Sequence, residues 1–387
     1  MLHLSYFLRR DQVKNSRIVK EFIELAQIDA ASLNERAVAD AVLEKLKEFD
    51  CEVFEDDAGE KLGGNTGNIY AIFEGELDGS ILIGAHLDRV ANGIGIKPQI
   101  VDGKIVSSGD TILAGDDLGG VAAILDGLRR LKASGIPTPR IEVVFVVCEE
   151  KIVLGSKNLH FDKLKSKFGY FIDAPGRLGH VVYSAPSKAR FTIEVFGKSA
   201  HAGNAPEKGI NAIVAASKIL ANIKEGRIDD ETTANFASFD AVHSVTNIVC
   251  DYAVIKGETR SISPKKFEDY LAYVEKHCHE AIEGTGATVK VDITRDYSGF
   301  TIPKDGPCIS LLEKVFDKMG VDIYCKKAGG GGDACRMNEN GIECVLVSFG
   351  GADNHGPKEN ILIEDFVRTG EMVENMVAVY AEQLAKK

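Results

Sequence analysis

Apolar residues follow two different spacings along this chain. Helical spacing predicts amphipathic helices over residues 18–28 and 38–49, and Ser32 with Glu35 predicts a capping box at the start of the second. Continuous or alternating apolar runs predict strands over residues 51–55, 68–73, 81–85, 141–147, 169–172 and 344–349. Strands that alternate with helices in this way are typical of an α/β protein with a mostly parallel sheet.

One stretch, residues 107–131, joins a strand to a long helix through a Gly-Asp-Asp turn. The helix has Val121, Ile124 and Leu128 on one apolar face. The turn places two adjacent carboxylates, Asp116 and Asp117, at the start of this helix. On the residues alone, one of them could simply cap the helix.

The pattern changes near residue 185. From there to residue 297 the order of predicted elements is β-α-β-β-α-β, which describes an α+β module. We therefore expect a discontinuous catalytic domain over residues 1–184 and 298–387, and an inserted domain over residues 185–297. The predicted architecture is a mixed, mostly parallel sheet flanked by helices, with the insertion serving as a lid or dimerisation domain.

Composition limits the partners and the compartment. The 387 residues carry a net charge of −12, which disfavours nucleic acid and anionic membranes as partners. Eight scattered cysteines without a Cys-x-x-Cys pair indicate reduced thiols. The apolar residues 4–8 precede Arg9 and Arg10, the reverse of a signal peptide, and no apolar run is long enough to span a membrane. These features predict a cytoplasmic protein.

Polar side chains follow the predicted strands at the points where each strand ends. They are His86 with Asp88, Asp116 with Asp117, Glu149 with Glu150, Asp173, and His355. The carboxyl ends of parallel strands meet at one edge of a sheet, so we expect these groups to converge. Converged carboxylates repel one another unless a cation holds them. Imidazoles with carboxylates suit Zn²⁺, with Co²⁺ or Mn²⁺ as alternatives, and the number of donors predicts two ions bridged by Asp116.

Taken together, these motifs resemble those of the dinuclear-zinc metallopeptidases, the group that includes peptidase T and carboxypeptidase G. The resemblance spans nearly the whole chain and is greater to the peptidase T branch. It is carried by Ala85-His86-Leu87-Asp88, Gly115-Asp116-Asp117-Leu118-Gly119-Gly120, Glu149-Glu150, Asp173, Gly197-Lys198-Ser199-Ala200-His201 and His355. Three positions depart from the family pattern. Arg89 replaces a small residue, Leu118 replaces a basic one, and Gly332 replaces one with a hydroxyl group.

The resemblance implies a role for each residue of the candidate site. One zinc would be held by His86, Asp116 and Asp173, and the other by Asp116, Glu150 and His355. Glu149 would act as general base, Asp88 would orient the His86 ring, and the Asp116-Asp117 peptide would be cis. His201 would hydrogen-bond the oxyanion, in its own subunit or across a homodimer formed by the inserted domains, while Asn247 and Arg260 would hold the substrate. For Arg260, a surface salt bridge is an equal alternative.

The predicted activity is hydrolysis of the N-terminal peptide bond of short peptides, tripeptides above all. Two other functions stay open. One is a related carboxypeptidase or N-acyl amino acid amidohydrolase, and the other is a peptide-binding scaffold without activity.

Overall fold

The computed structural model describes residues 16–241 and 245–386. The apolar residues 4–8 lie outside these ranges. The described chain divides into two compact units. Within the described residues, the first consists of residues 16–184, 302–327 and 332–386, and the second of residues 185–301 and 328–331.

The helices and strands are numbered in chain order. The helices are Arg17–Ala26 (α1), Arg36–Leu46 (α2), Ala58–Leu62 (α3), Gly115–Ser134 (α4), Leu154–Lys157 (α5), Ala212–Asn222 (α6), Pro264–Ala281 (α7), Pro307–Met319 (α8), Asp333–Glu339 (α9) and Ile363–Leu384 (α10). The strands are Glu52–Glu55 (β1), Ile69–Phe73 (β2), Leu77–His86 (β3), Pro98–Val101 (β4), Lys104–Ser107 (β5), Pro139–Val146 (β6), Phe168–Ala174 (β7), His180–Ala185 (β8), Ser187–Phe196 (β9), Gly226–Arg227 (β10), Thr232–Ala241 (β11), Tyr252–Ser261 (β12), Thr288–Tyr297 (β13), Phe300–Thr301 (β14), Tyr324–Lys327 (β15), Glu343–Ser348 (β16), Gly351–Ala352 (β17) and Asn360–Leu362 (β18).

The large sheet of the first unit has the strand order β1-β2-β6-β3-β7-β16-β8, and β15 pairs with β8. The four central strands β6, β3, β7 and β16 run parallel to one another. The strands β1 and β2 are antiparallel to their neighbours at one edge, as is β8 to β16 at the other. The predicted mixed, mostly parallel sheet is therefore confirmed.

Helices pack closely on this sheet. The helix α4 contacts β3 and β7, and α10 packs along α4. A Cβ atom at Gly127 in α4 would lie 2.4 Å from Cγ1 of Val373 in α10, so the two helices approach more closely than a larger side chain allows. Apolar residues of both helices, such as Leu125 and Met376, are fully buried. Burial of this apolar surface is the main stabilisation of the layer.

A second, smaller sheet of the first unit joins distant parts of the chain. The hairpin β4-β5 turns at Asp102-Gly103, both with positive φ angles. The strand β18 pairs with β5, and β17 pairs with β18. This sheet brings the segment around residue 355 next to the strand that leads into the Gly-Asp-Asp turn.

The second unit contains an antiparallel sheet with the strand order β10-β11-β12-β9-β13. The helices α6 and α7 pack on it around an apolar core that includes Phe191, Ile255 and Val274. The limits of the second unit extend beyond residues 185–297. Gly299 N–H donates to Ser187 Oγ at 2.8 Å, and Gly331 N–H donates to the Tyr297 hydroxyl at 3.1 Å. These bonds attach residues 298–301 and 328–331 to this unit.

The predicted capping box at α2 is wrong. The helix begins at Arg36, and Glu35 occupies the N-cap position without a side-chain cap bond. Ser32 Oγ instead donates to Asp88 Oδ2 at 2.6 Å, and Glu35 Oε1 accepts the Cys148 N–H at 3.1 Å. Both side chains are used for long-range contacts, which a local pattern does not reveal.

Among the helices of residues 16–241 and 245–386, none has the length and apolar character needed to cross a membrane.

Candidate active site

The ends of the parallel strands carry the polar side chains. His86 is the last residue of β3, Asp173 is the penultimate residue of β7, and Glu149 follows the end of β6. His355 lies in the turn between β17 and β18. The parallel pairing of these strands places their carboxyl ends at one edge, as expected for a ligand site in an open sheet.

The Gly-Asp-Asp turn supplies two carboxylates with different partners. The Asp116-Asp117 peptide is cis, which confirms the prediction. Asp117 accepts the N–H groups of His86 at 3.1 Å and Gly120 at 3.2 Å, so its carboxylate is engaged by the backbone. A Cβ atom at Gly120 would lie 2.4 Å from Asp117 Oδ1, so glycine is needed there. Asp116 is left to face the imidazoles.

Asp116 lies between the two histidines. Its Oδ1 is 3.0 Å from His86 Nε2, and its Oδ2 is 3.2 Å from His355 Nε2. His86 Nε2 is also 3.8 Å from Asp173 Oδ1, and His355 Nε2 is 2.9 Å from Glu150 Oε1. Each histidine therefore faces two carboxylates, one of which is shared.

Among the residues that the structure describes, potential ligand atoms form three groups in which all atoms lie within 4.8 Å of one another. The first contains His86, Asp116 and Asp173, and the second contains Asp116, Glu150 and His355. Glu149 belongs only to the third group, with His86 and Glu150. The first two groups share Asp116, an arrangement that suits two cations with one bridging carboxylate.

The electrostatics of the cluster show crowded negative charge. Burial raises the pKa values of Glu149 and Asp173 well above their usual range, and neighbouring carboxylates raise them further. For Asp116, hydrogen bonds from His355 and His86 outweigh burial and lower the pKa. The same contacts with Asp116 and Glu150 raise the pKa of His355 to about 11.

These donors fit divalent metal ions. All are imidazole nitrogens or carboxylate oxygens, which Zn²⁺, Co²⁺ and Mn²⁺ accept. Without a metal ion, the negative charge of the carboxylates in this cluster is balanced only by protons, on the two histidines or on the buried acids themselves. A divalent cation removes the repulsion between the carboxylates more effectively than shared protons do.

Asp88 supports the cluster from behind. The Nδ1 atom of His86 is 3.0 Å from the backbone oxygen of Asp88 and 3.5 Å from its carboxylate. A proton on Nδ1 leaves Nε2, which faces Asp116, free to accept a bond. The Asp88 carboxylate is mainly engaged elsewhere: it accepts the N–H of Glu149 at 2.8 Å and that of Glu150 at 3.2 Å.

Two residues at the site have no counterpart in the sequence-based prediction. Asn354 Nδ2 donates to Asp116 Oδ2 at 2.8 Å. The buried Glu359 accepts the N–H groups of Leu113 at 2.8 Å, Ala114 at 3.1 Å and Asp116 at 3.0 Å. Glu359 therefore holds the turn that presents Asp116. Their only sequence signal is proximity to His355.

We expect Glu359→Gln to destabilise the protein. An amide has one acceptor oxygen, so at least one of these buried N–H groups would face an NH₂ group and stay unpaired. The expected loss is about 1–3 kcal/mol of unfolding free energy, measured by urea denaturation of the metal-free protein. The exposed Glu364 is a matched control, and Glu364→Gln should change stability by no more than about 0.5 kcal/mol. Equal effects of the two substitutions would contradict this role of Glu359.

The residues expected to bind substrate belong to the second unit. His201 is exposed, and its Nδ1 accepts the N–H groups of Gly203 and Asn204 at 3.1 and 3.2 Å. In a neutral ring this leaves the proton on Nε2. Asn247 is also exposed, and its backbone oxygen accepts the Ala202 N–H at 2.9 Å.

Arg260 forms the surface salt bridge that was one of its two predicted alternatives. Its Nε donates to Glu258 Oε1 at 2.9 Å, which is a surface salt bridge. Its Nη1 donates to the backbone oxygen of Gly329 at 3.2 Å, in the glycine-rich loop. Arg260 therefore fixes part of that loop within the second unit.

The three departures from the family pattern have different surroundings. Arg89 is fully buried and donates to the backbone oxygens of Ala26 and Gly93 at 3.1 Å. Leu118 is a buried apolar residue of α4. A Cβ atom at Gly332 would lie 3.1 Å from Asp173 Oδ2, so its lack of a side chain leaves space beside the cluster.

Comparison with known proteins places these features in a family. Residues 82–378 match the model of peptidase family M20/M25/M40. The fold is similar to the crystal structure of aminopeptidase PepT from Bacillus cereus, with 35% identity, a TM-score of 0.87, and coverage of 94% of this chain and 98% of that one. It is also similar to a tripeptidase from Staphylococcus aureus, with 30% identity, a TM-score of 0.90, and coverage of 95% and 98%.

A more distant likeness concerns the fold alone. The YXEP protein of Bacillus subtilis, described as a dinuclear metal binding peptidase, has 18% identity and a TM-score of 0.74, with coverage of 95% of this chain and 98% of that one.

Proposed function

The chain belongs to peptidase family M20/M25/M40, and from this premise we propose that it is a zinc-dependent aminopeptidase that removes the N-terminal residue of short peptides, tripeptides above all. The similar chains from Bacillus cereus and Staphylococcus aureus carry the names aminopeptidase and tripeptidase. The proposed site consists of His86, Asp116, Glu150, Asp173 and His355 as ligands of two Zn²⁺ ions, with Glu149 as base.

One observation carries this proposal. Asp116 belongs to two groups of potential ligands, and Glu149 is outside both while remaining within the same cluster. An acid that is near the ligands but not required as one is available for proton transfer. The composition of the cluster thus supports both a metal site and a base.

The proposed mechanism assigns tasks to the residues of the chain. When bound, divalent ions make water more acidic and polarise an amide carbonyl. Glu149 accepts a proton from the attacking water and delivers it to the nitrogen of the leaving amine. Asp88 holds the backbone N–H groups of Glu149 and Glu150, so the base and a ligand keep a fixed position relative to each other.

The second unit is proposed to contact the substrate. His201 would donate from Nε2 to the oxyanion, since Nδ1 is already an acceptor for two backbone N–H groups. Arg260 would hold a substrate carboxylate or carbonyl with the N–H groups that remain after its bonds to Glu258 and Gly329. Asn247, whose backbone oxygen accepts the N–H of Ala202 next to His201, would bind the peptide backbone.

Hydrolysis of free and blocked peptides tests the proposed activity. We expect the zinc-loaded protein to cleave an unblocked tripeptide and to lose most of that activity, about 10²-fold or more in kcat/KM, when the peptide amine is acetylated, because buried polar groups of the site stay unpaired. Efficient cleavage of the acetylated peptide would instead support an N-acyl amino acid amidohydrolase or carboxypeptidase. Binding of peptides without cleavage would support a scaffold.

We expect zinc binding to release protons. Burial raises the pKa of Asp173, and hydrogen bonds to Asp116 and Glu150 raise that of His355 to about 11, so the metal-free site holds protons at pH 7. Ligands must be deprotonated, and the apparent affinity for Zn²⁺ should therefore rise with pH by about one log unit per pH unit for each proton released. Calorimetric titration in buffers of different ionisation enthalpy measures this release. A binding enthalpy that is independent of the buffer would contradict it.

A cytoplasmic homodimer formed through the inserted domain is also part of the proposal. Large apolar side chains are exposed on the second unit, namely Phe196, Ile213, Val214, Phe239, Val245 and Ile248. Apolar surface of this kind supports association between copies of the chain. All eight cysteines are free thiols, which suits a reducing compartment. Sedimentation equilibrium measures the oligomeric state.

A further inference from the structure

We infer that Glu35 is a positioning residue for catalysis, because its carboxylate fixes the backbone segment that carries Glu149 and Glu150. This inference rests on the proposed function, since the importance of that segment follows from the roles assigned to the two glutamates. Glu35 lies at the start of α2, more than one hundred residues away in sequence from the segment that it contacts.

The contact is direct and buried. Glu35 has no exposed surface, and its Oε1 accepts the N–H groups of Leu33 at 2.9 Å and Cys148 at 3.1 Å. The Cys148 thiol donates to the same oxygen at 3.3 Å. A buried carboxylate that accepts backbone N–H groups makes stronger hydrogen bonds than a neutral acceptor and constrains the backbone accordingly.

Glu35 and Asp88 together hold three consecutive N–H groups. Glu35 accepts from Cys148, while the two oxygens of Asp88 accept from Glu149 and Glu150. Ser32 completes the set by donating to Asp88 Oδ2 at 2.6 Å. The segment that precedes α2 thus supplies two side chains to the back of the active site.

The held segment has a backbone conformation that needs such support. Cys148 has a φ angle of +53°, in the left-handed region that non-glycine residues rarely adopt. This conformation turns the chain at the end of β6 so that Glu149 and Glu150 reach the cluster. Residues held in this region persist when their surroundings determine the conformation. Glu35 binds the N–H of Cys148, and Leu154 N–H binds its carbonyl at 3.1 Å.

Only one oxygen of Glu35 is needed for these contacts. Its Oε2 is buried and has no hydrogen-bond partner among the described residues. Gln keeps an acceptor oxygen and the length of the side chain, whereas Met keeps the length and removes the acceptor. Glu35→Gln is therefore the conservative variant and Glu35→Met the disruptive one.

Glu142 offers a matched control. It is equally buried in the same unit, and it accepts the N–H groups of Lys165 at 2.8 Å and Ser166 at 3.0 Å. It lies in the middle of β6, before the segment that carries Cys148. Glu142→Met removes a buried clamp on a backbone segment that carries none of the proposed catalytic residues, together with the bond from Arg140 Nε at 2.7 Å.

The experiment compares these variants in tripeptide hydrolysis, thermal unfolding and amide hydrogen exchange. For Glu35→Met we expect kcat to fall about 10- to 100-fold with KM changed less than about twofold, and faster exchange at residues 148–150. Glu35→Gln should keep kcat within about threefold of the parent protein. Glu142→Met should lower Tm and speed exchange at residues 165–166, with kcat and exchange at residues 148–150 unchanged.

Several results would overturn the inference. They are an unchanged kcat in Glu35→Met, an equal loss in Glu35→Gln, or unaltered exchange at residues 148–150. If Glu35→Met does not fold, Glu35→Asp replaces it, because its shorter side chain withdraws the acceptor from the Cys148 N–H. We expect a smaller loss of kcat and apply the same exchange criterion. A parent protein that cleaves no peptide refutes the proposed function, and the exchange measurements still decide whether Glu35 holds the segment.

Discussion

Replacement of Glu149 by Gln should abolish most turnover while the bound metal is retained. The amide is almost isosteric with the carboxylate but cannot accept the proton of the attacking water. We expect kcat to fall by about 10²- to 10⁴-fold, the usual contribution of a general acid-base residue. Steady-state hydrolysis of a tripeptide, with metal content determined by elemental analysis on the same preparation, measures both quantities.

The neighbouring residue provides the control for this result. Glu150 is in the group with Asp116 and His355, whereas Glu149 is outside both groups that share Asp116. Glu150→Gln should therefore lower the metal content as well as kcat. Equal metal loss in the two variants would mean that the division between base and ligand is wrong.

The second large effect concerns Asp116. Because it alone is common to the two proposed ligand groups, we expect Asp116→Ala to lower the metal content from about two ions per chain to none. His355→Ala, which affects one group, should leave about one ion. Activity should fall by about 10³-fold or more in Asp116→Ala, since metal ions supply several kcal/mol of transition-state stabilisation.

Isothermal titration of the metal-free variants with Zn²⁺ measures these stoichiometries. His160 is a suitable control because it is outside the ligand groups and its only described charged partner is Asp57, at 3.0 Å from its Nε2. His160→Ala should bind as much zinc as the parent protein. Retention of two ions by Asp116→Ala, or loss of both by His355→Ala, would contradict the bridging role.

The sequence predicted the central part of the fold for a definite reason. Buried parallel strands such as β3 and β6 are continuous apolar runs, and the polar residues that follow them are easily recognised. Since parallel strands end at a common edge, the convergence of His86, Glu149 and Asp173 followed from topology alone. The roles of these residues and the ligand groups came from the resemblance to a family.

Other parts of the site could not be predicted because their signals are local or ambiguous. A Ser-x-x-Glu pattern predicts a capping box, yet Ser32 and Glu35 use the same atoms to bind Asp88 and Cys148. Glu359 lies in a loop without periodicity, and its contact with the Asp116 turn spans 243 positions. The strands β17 and β18 are too short to produce a recognisable pattern.

The domain boundary illustrates the same limit. The change in element order near residue 185 marks the start of the second unit, but the glycine-rich residues 328–331 lie far from it in sequence. Their attachment depends on individual hydrogen bonds, such as that from Arg260 to Gly329. Single contacts of this kind leave no pattern in apolar spacing.

The way in which the chain departs from the first unit and comes back has a consequence for folding. Ile302 N–H donates to the Tyr183 carbonyl at 2.8 Å in the first unit, and Gly299 N–H donates to Ser187 Oγ at 2.8 Å in the second. These two hydrogen bonds join residues near the start of the inserted unit to residues near its end. If the inserted unit folds first, its two ends are already close together, and it acts as a short loop between Tyr183 and Ile302. The entropic cost of closing this long stretch of chain is then met before β16 pairs with β7.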